Sequence, residues 1–153
     1  AIFLNSAISI GIIFTALVLI TGSIWGKPTW GTYWVWDARI TSTFILLIQY
    51  VCLLALKTSF TTRQIADQII SILSIIGAIN IPIIKFSVNW WNTLHQGPSI
   101  TTSGSSIDGE MLYALPLMLI AFMFISLSIF LRNIQFEILL RAPSKKEIWR
   151  DHG

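Results

Sequence analysis

One histidine and two groups of tryptophans are the residues of this sequence with the most specific chemistry. His95 follows a Trp-Trp pair in SVNWWNTLHQG, residues 87–97. A second cluster, WGKPTWGTYWVWDAR at residues 25–39, combines four tryptophans with a lysine, an aspartate and an arginine. A neutral imidazole is a common iron ligand, tryptophan offers a wide aromatic face, and arginine pairs with carboxylates. Haem is a flat apolar ring that carries iron and two carboxylates, so these side chains together would meet its needs.

Each of these residues also has an ordinary structural interpretation. A single histidine is more often structural or exposed than a metal ligand. Tryptophans gather at membrane interfaces as an aromatic belt. Asp37 comes just before an apolar run, where capping of the next helix or pairing with Arg39 is favoured over direct ligand contact. Lys27 and Arg39 are both candidates for binding the carboxylates of a ligand.

The composition indicates that membrane-spanning helices position these clusters. Of the 153 residues, 54% are hydrophobic and 11% are charged, and the mean hydropathy is +0.74. Because soluble domains carry about 25% charged residues, the composition excludes both a typical soluble domain and a disordered chain. The single cysteine, Cys52, excludes an internal disulfide, a CxxC redox pair and a CxxCH haem attachment site. The positive charges form no stripe with interleaved aromatics, so no nucleic-acid partner is expected.

Four uncharged apolar runs have lengths near the roughly 20 residues that cross a bilayer. They predict an all-α fold, a polytopic bundle of four transmembrane helices with a tryptophan-rich amphipathic segment on its outer face. The chain is expected to be a single membrane domain, residues 1–153, with spans at about residues 2–25, 40–56, 68–84 and 111–131. The amides within the spans are expected to form hydrogen bonds between helices; they are Asn5, Gln49 and Asn80.

The distribution of lysine and arginine orients this four-span arrangement. Seven of the ten lie on the side of the two termini, so the positive-inside rule places both termini on the cytoplasmic or matrix face. The tryptophan segment (residues 25–39) and the histidine loop (residues 85–110) then share the outer face, whereas His152 lies on the inner face. Six of the seven tryptophans also belong to the outer side. An aromatic belt would populate both faces, so this asymmetry favours binding of a flat or aromatic partner outside.

Two long motifs resemble a known family. WGKPTWGTYWVWDARITS, residues 25–42, resembles the tryptophan-rich WWD signature of haem-handling proteins in cytochrome c biogenesis. IPIIKFSVNWWNTLHQG, residues 81–97, narrows the resemblance to the family of cytochrome c maturation protein C, also called haem exporter protein C. Tyr33 stands where many members have tryptophan.

The resemblance implies that the chain binds haem b and presents it on the outer face to a haem chaperone, cytochrome c maturation protein E. It also implies that ATP-binding-cassette transporter subunits are partners of the chain and that the chain lies in the lipid bilayer. By the same resemblance His95 is an axial ligand of the haem iron. The remaining cofactor-binding residues that it implies are Trp30, Trp34, Trp36, Asp37 and Arg39.

Members of this family have six spans, and a first axial histidine lies in an outer loop between two spans that precede the four found here. The resemblance therefore implies a companion segment, upstream or on a separate polypeptide, that carries the other axial histidine. The second motif is more similar to plant mitochondrial versions than to bacterial ones. This favours the mitochondrial inner membrane, with a bacterial plasma membrane as the alternative.

The leading functional hypothesis is haem binding and delivery without catalytic turnover, hence no enzyme and no catalytic residue. One alternative is a structural membrane subunit that binds no haem, whose outer tryptophans pack against other proteins. A second alternative is a component of a haem lyase-type enzyme, since the family's transfer step forms a bond between haem and the chaperone. No residue in the sequence is identified as a catalytic base.

Overall fold

The structure, a computed structural model, describes residues 2–60, 62–97, 99–102 and 104–141, without the side chain of Arg63. It consists of five helices and one short hairpin. The helices are α1 (Ile2–Trp30), α2 (Ala38–Ser59), α3 (Arg63–Ala78), α4 (Asn80–Trp90) and α5 (Gly109–Arg141). The antiparallel hairpin joins β1 (Ile100–Thr101) to β2 (Gly104–Ser105), with Ile100 opposite Ser105.

Four helical segments of the described chain are long and apolar enough to cross a membrane, because α3 and α4 together form one of them. The predicted all-α membrane fold with four transmembrane helices is therefore confirmed. The helices are longer than the predicted uncharged runs. α1 continues five residues past Trp25, to Trp30, and α5 continues ten residues past Leu131, to Arg141.

A break at Ile79 separates α3 from α4. Pro82 explains it, because proline has no N–H to donate to the carbonyl of Ala78, four residues earlier. The chain recovers helical geometry at once, and α4 runs through Lys85 to Trp90. The first six residues of the predicted histidine loop, 85–90, are therefore helical, and the irregular part begins at Trp91.

α1 and α2 form the centre of the bundle. α1 packs against α2 and α5, and α2 packs against α3 and α4. Ile8, Leu53 and Ile70 are fully buried where α1, α2 and α3 meet. Because lipid tails are as apolar as these side chains, close packing and polar contacts hold such helices together more than hydrophobic burial does.

Side-chain amides form the predicted hydrogen bonds between helices. Gln49 Nε2 donates to the carbonyl of Leu73 at 3.0 Å, and Asn80 Nδ2 donates to the carbonyl of Ser42 at 2.8 Å. Asn5 Nδ2 donates to Asp67 Oδ1 at 2.9 Å. These contacts link α2 to α3, α2 to α4 and α1 to α3, so the prediction for the three amides is confirmed.

The two ends of the bundle differ in chemistry. At one end, called the charged end, Arg141 donates from Nη1 and Nη2 to Asp67 at 3.0 and 3.2 Å, and Lys57 pairs with the buried Glu137. The opposite end, called the tryptophan end, is formed by the last turn of α1, the first turn of α2 and the loop after α4. It contains Trp30, Asp37 and His95, so the tryptophan segment and the histidine loop meet at one end of the bundle.

Candidate functional site

The first half of the tryptophan segment is a continuation of α1. Gly26 and Pro28 lie within α1, which ends at Trp30, immediately before Gly31. Gly31 adopts φ +79°, a left-handed conformation that glycine takes without strain, and its N–H donates to the carbonyl of Lys27 at 3.0 Å. Pro28 lies in the last turn, so its missing N–H removes a single hydrogen bond near the helix end.

Lys27 serves the end of α1. Its Nζ donates to the carbonyl of Gly31 at 3.0 Å and lies 5.3 Å from the centre of the Tyr33 ring. A cation in the last turn also complements the negative end of the helix dipole. Of the two candidate cations, Arg39 lines the same cavity as His95, whereas Lys27 does not.

Asp37 begins α2 as its N-cap. Its Oδ1 accepts a hydrogen bond from the backbone N–H of Ile40 at 2.8 Å, and its backbone is extended, as N-cap residues require. The predicted capping role is therefore confirmed. The alternative, an ion pair with Arg39, is wrong, because the second carboxylate oxygen of Asp37 faces His95 instead.

Thr93 fixes the backbone at His95. The Oγ1 of Thr93 accepts a hydrogen bond from the N–H of His95 at 3.0 Å and lies 3.3 Å from its carbonyl oxygen. A threonine hydroxyl that bonds a residue two positions on stabilises a local turn. The sequence analysis did not identify Thr93, although the Thr-x-His spacing could have indicated this turn.

His95 and Asp37 form a partly buried pair at the tryptophan end. His95 Nδ1 lies 2.6 Å from Asp37 Oδ2, and the two side chains are 18% and 5% exposed. Trp30 packs edge-on against the imidazole, with ring centres 4.6 Å apart and planes at 70°. Among the described residues, none forms a hydrogen bond with His95 Nε2. The pair thus holds one ring nitrogen of His95 and leaves the other available.

A cavity of about 440 Å³ lies beside this pair, between α1, α2 and α4. Arg39 and His95 both line it, and within the described chain the Arg39 guanidinium has no hydrogen bond or ion pair. The rest of the lining is mostly apolar and consists of Val18, Leu19, Gly22, Ser23, Trp25, Ile40, Thr43 and Ile84. Its volume falls in the range of small-molecule sites, which combine apolar walls with a few polar groups.

The four tryptophans of the tryptophan segment form two separate aromatic groups. Trp25 packs on Trp30 at 5.2 Å and Trp30 on His95, whereas Trp34 and Trp36 pack on each other at 5.4 Å and on Phe44 of α2. In the chain as described, no ring contact joins the two groups. The structure thus brings Trp30, Asp37, Arg39 and His95 together, whereas Trp34 and Trp36 pack against Phe44 of α2.

Trp36 is 72% exposed and Trp34 is half-buried. Phe44, which both rings contact, was not singled out from the sequence, because a phenylalanine in an apolar run carries no distinguishing signal. The exposed ring of Trp36 leaves an aromatic face available to a further molecule at this end.

A family model and individual relatives match most of the chain. The sequence model of the family described as heme exporter protein C matches residues 1–149. The chain is 48% identical to a heme exporter protein C of Bradyrhizobium diazoefficiens over 138 residues, which is 90% of the chain and 52% of that relative. The chain belongs to the haem exporter protein C family.

Two further relatives come from a bacterium and a plant. The heme exporter protein C of Escherichia coli is 46% identical over 94% of the chain and 59% of its own length. A putative cytochrome c biosynthesis ccmC-like mitochondrial protein of Arabidopsis thaliana is 44% identical over 97% of the chain and 57% of its own length.

The chain spans a little over half the length of the curated relatives that it matches. Bacterial and plant mitochondrial relatives together with four apolar helices confirm the prediction of a multi-pass inner-membrane protein.

Proposed function

We propose that this chain binds haem b at its tryptophan end and presents it for delivery during cytochrome c maturation. The observation that carries the proposal is the mostly apolar cavity that His95 and the unpaired Arg39 both line. Haem needs a nitrogen donor for its iron, a cation for its carboxylates and apolar surroundings for its ring. The names of the relatives add support, since they are described as heme exporters.

Each side chain at the site has a distinct role in this proposal. His95 offers Nε2 to the iron, because its Nδ1 already faces Asp37. Arg39 pairs with a haem carboxylate, Trp25 gives the cavity an aromatic wall, and Trp30 supports the His95 ring. Trp34 and Trp36 extend the aromatic surface beyond the cavity, where the exposed ring of Trp36 meets either the rim of the haem or the protein that receives it.

The site is proposed to face outside, in the mitochondrial intermembrane space, with both termini on the matrix side. Delivery then proceeds to a haem chaperone of the cytochrome c maturation protein E type, beside ATP-binding-cassette subunits. A second axial ligand is proposed to come from a companion segment outside residues 1–153. The chain itself carries haem as cargo, and we assign it no catalytic turnover.

Haem content and the optical spectrum of the purified membrane complex test this proposal. The wild-type protein is expected to contain haem, and His95→Ala is expected to lose most of it and to alter the axial-ligand bands of the remainder. His152→Ala is the matched control. It lies outside the described residues, and the sequence places it on the opposite face, so it should match wild type. A wild-type complex without haem would favour a structural subunit, and equal spectra for His95→Ala and wild type would refute His95 as ligand.

A further inference from the structure

The carboxylate of Asp37 makes two different contacts with its two oxygens. Oδ1 accepts from the N–H of Ile40 at 2.8 Å, which caps α2, and Oδ2 lies 2.6 Å from His95 Nδ1. The side chain is 5% exposed, so water reaches it little. Capping needs one oxygen only, and many residue types supply it. The second contact therefore calls for an explanation of its own.

The contact with Asp37 determines which nitrogen of His95 carries the proton. An ionised carboxylate only accepts hydrogen bonds, so the short contact requires a proton on Nδ1. In the neutral ring the lone pair is then on Nε2. Trp30 packs edge-on against the same ring, and the hydroxyl of Thr93 holds the backbone of His95. Tautomer, ring position and backbone are thus all set before any ligand arrives.

We propose that Asp37 is a positioning residue that acts through His95: it presents Nε2 to the haem iron and strengthens it as an electron donor. This inference rests on the proposed haem binding. A carboxylate that accepts from the far nitrogen of a ligating histidine fixes the ring and raises its basicity. A stronger donor stabilises the more highly charged ferric iron, so the contact lowers the reduction potential of bound haem.

Asparagine at position 37 separates positioning from capping. An asparagine oxygen can still accept from the N–H of Ile40, since asparagine is as good an N-cap as aspartate. Its NH₂ group then replaces Oδ2 and donates toward His95 Nδ1. A donor at that position favours the tautomer with its proton on Nε2, which blocks iron binding. Asp37→Asn therefore keeps the helix start and opposes the presentation of Nε2.

Asp108 offers a matched control at the start of α5. It also caps a helix, with Oδ1 accepting from the N–H of Glu110 at 3.0 Å and its carbonyl accepting from Leu112. Its carboxylate contacts neither histidine nor arginine among the described residues. Asp108→Asn thus makes the same chemical change at an N-cap away from the cavity.

The experiment is haem titration by absorbance and redox titration of bound haem, on the full-length protein in its membrane complex. Asp37→Asn is expected to bind haem 10- to 100-fold more weakly, the usual cost of removing such a partner, and to shift the reduction potential upward. Asp37→Ser, which keeps a capping oxygen but cannot span to His95, should change both quantities in the same direction. If the asparagine variant does not fold, the serine variant still tests the positioning role of Asp37. Asp108→Asn should match wild type in both.

Each contrary outcome has a distinct meaning. If His95→Ala loses haem while both Asp37 variants keep wild-type affinity and potential, the positioning role is overturned and the proposed function stands. If Asp108→Asn shifts the potential as much as Asp37→Asn does, the effect comes from the loss of a carboxylate charge and not from the contact with His95, and the inference is likewise overturned. If the wild-type complex takes up no haem, the proposed function falls and this inference falls with it.

Discussion

Arg39→Gln tests whether the cavity recognises the carboxylates of haem. The Arg39 guanidinium lines the cavity beside His95 and has no polar partner in the described part of the chain. A hydrogen bond to a charged group contributes about 1.5–3 kcal/mol. Because the residue is half-buried and the cavity is open to its surroundings, the lower value of about 1.5 kcal/mol applies, which corresponds to roughly tenfold weaker haem binding.

The assay is absorbance titration with haem and, in parallel, with haem dimethyl ester, whose carboxylates carry no charge. Wild type should bind the ester about tenfold more weakly than haem, whereas Arg39→Gln should bind both equally, with axial-ligand bands like those of wild type. Arg132→Gln, at an exposed position of α5, is the control and should discriminate as wild type does. If wild type binds the ester as tightly as haem, the assignment of Arg39 is refuted.

Three further predictions concern the scaffold. Gly77→Ala should lower the unfolding free energy in detergent by about 1 kcal/mol, because a Cβ there would lie 1.6 Å from Gln49 Nε2 and would displace the amide from its hydrogen bond to the carbonyl of Leu73. Gly22→Ala, with open space around the new Cβ, should not lower it. Equal stability of the wild type and Gly77→Ala would contradict this packing. Arg141→Met should lower the same unfolding free energy by about 2 kcal/mol, less than the 3–5 kcal/mol for breaking a fully buried pair, since the Arg141 side chain is 27% exposed. An unchanged unfolding free energy would show that this ion pair contributes nothing to stability. Single cysteine variants in a Cys52→Ser background test the four-span orientation. Thiol reagents added outside should label Thr32→Cys and Ser99→Cys, and reagents added inside should label Thr62→Cys and Lys145→Cys. If the two members of either pair label from different sides, the four-span orientation is refuted.

Hydropathy and charge were sufficient to predict the number of membrane-spanning segments, because crossing a bilayer demands long apolar runs. They did not predict the helix ends. α1 runs to Trp30 because Pro28 falls in the last turn, where a missing N–H matters little, and the break at Ile79 precedes its cause, Pro82, by three residues. Charged residues also sit within helices, since Lys85 and Glu137 lie in α4 and α5.

The sequence also indicated which residues gather at the site but not how they pair. His95 and Asp37 are 58 residues apart in the sequence, and their contact depends on the loop after α4 folding back over the start of α2. A local partner for Asp37, Arg39, therefore looked equally plausible. Thr93 stabilises a local turn, which the Thr-x-His spacing could have indicated from the sequence. The separation of Trp34 and Trp36 from His95 depends on tertiary packing alone.

A structure of the membrane complex loaded with haem tests the central claim most directly. It should show the iron bonded to His95 Nε2, with Asp37 Oδ2 still on Nδ1, a haem carboxylate at Arg39 and the second axial ligand supplied from outside residues 1–153. Haem bound away from the tryptophan end, or held between His95 and another residue of this same chain, would contradict the account.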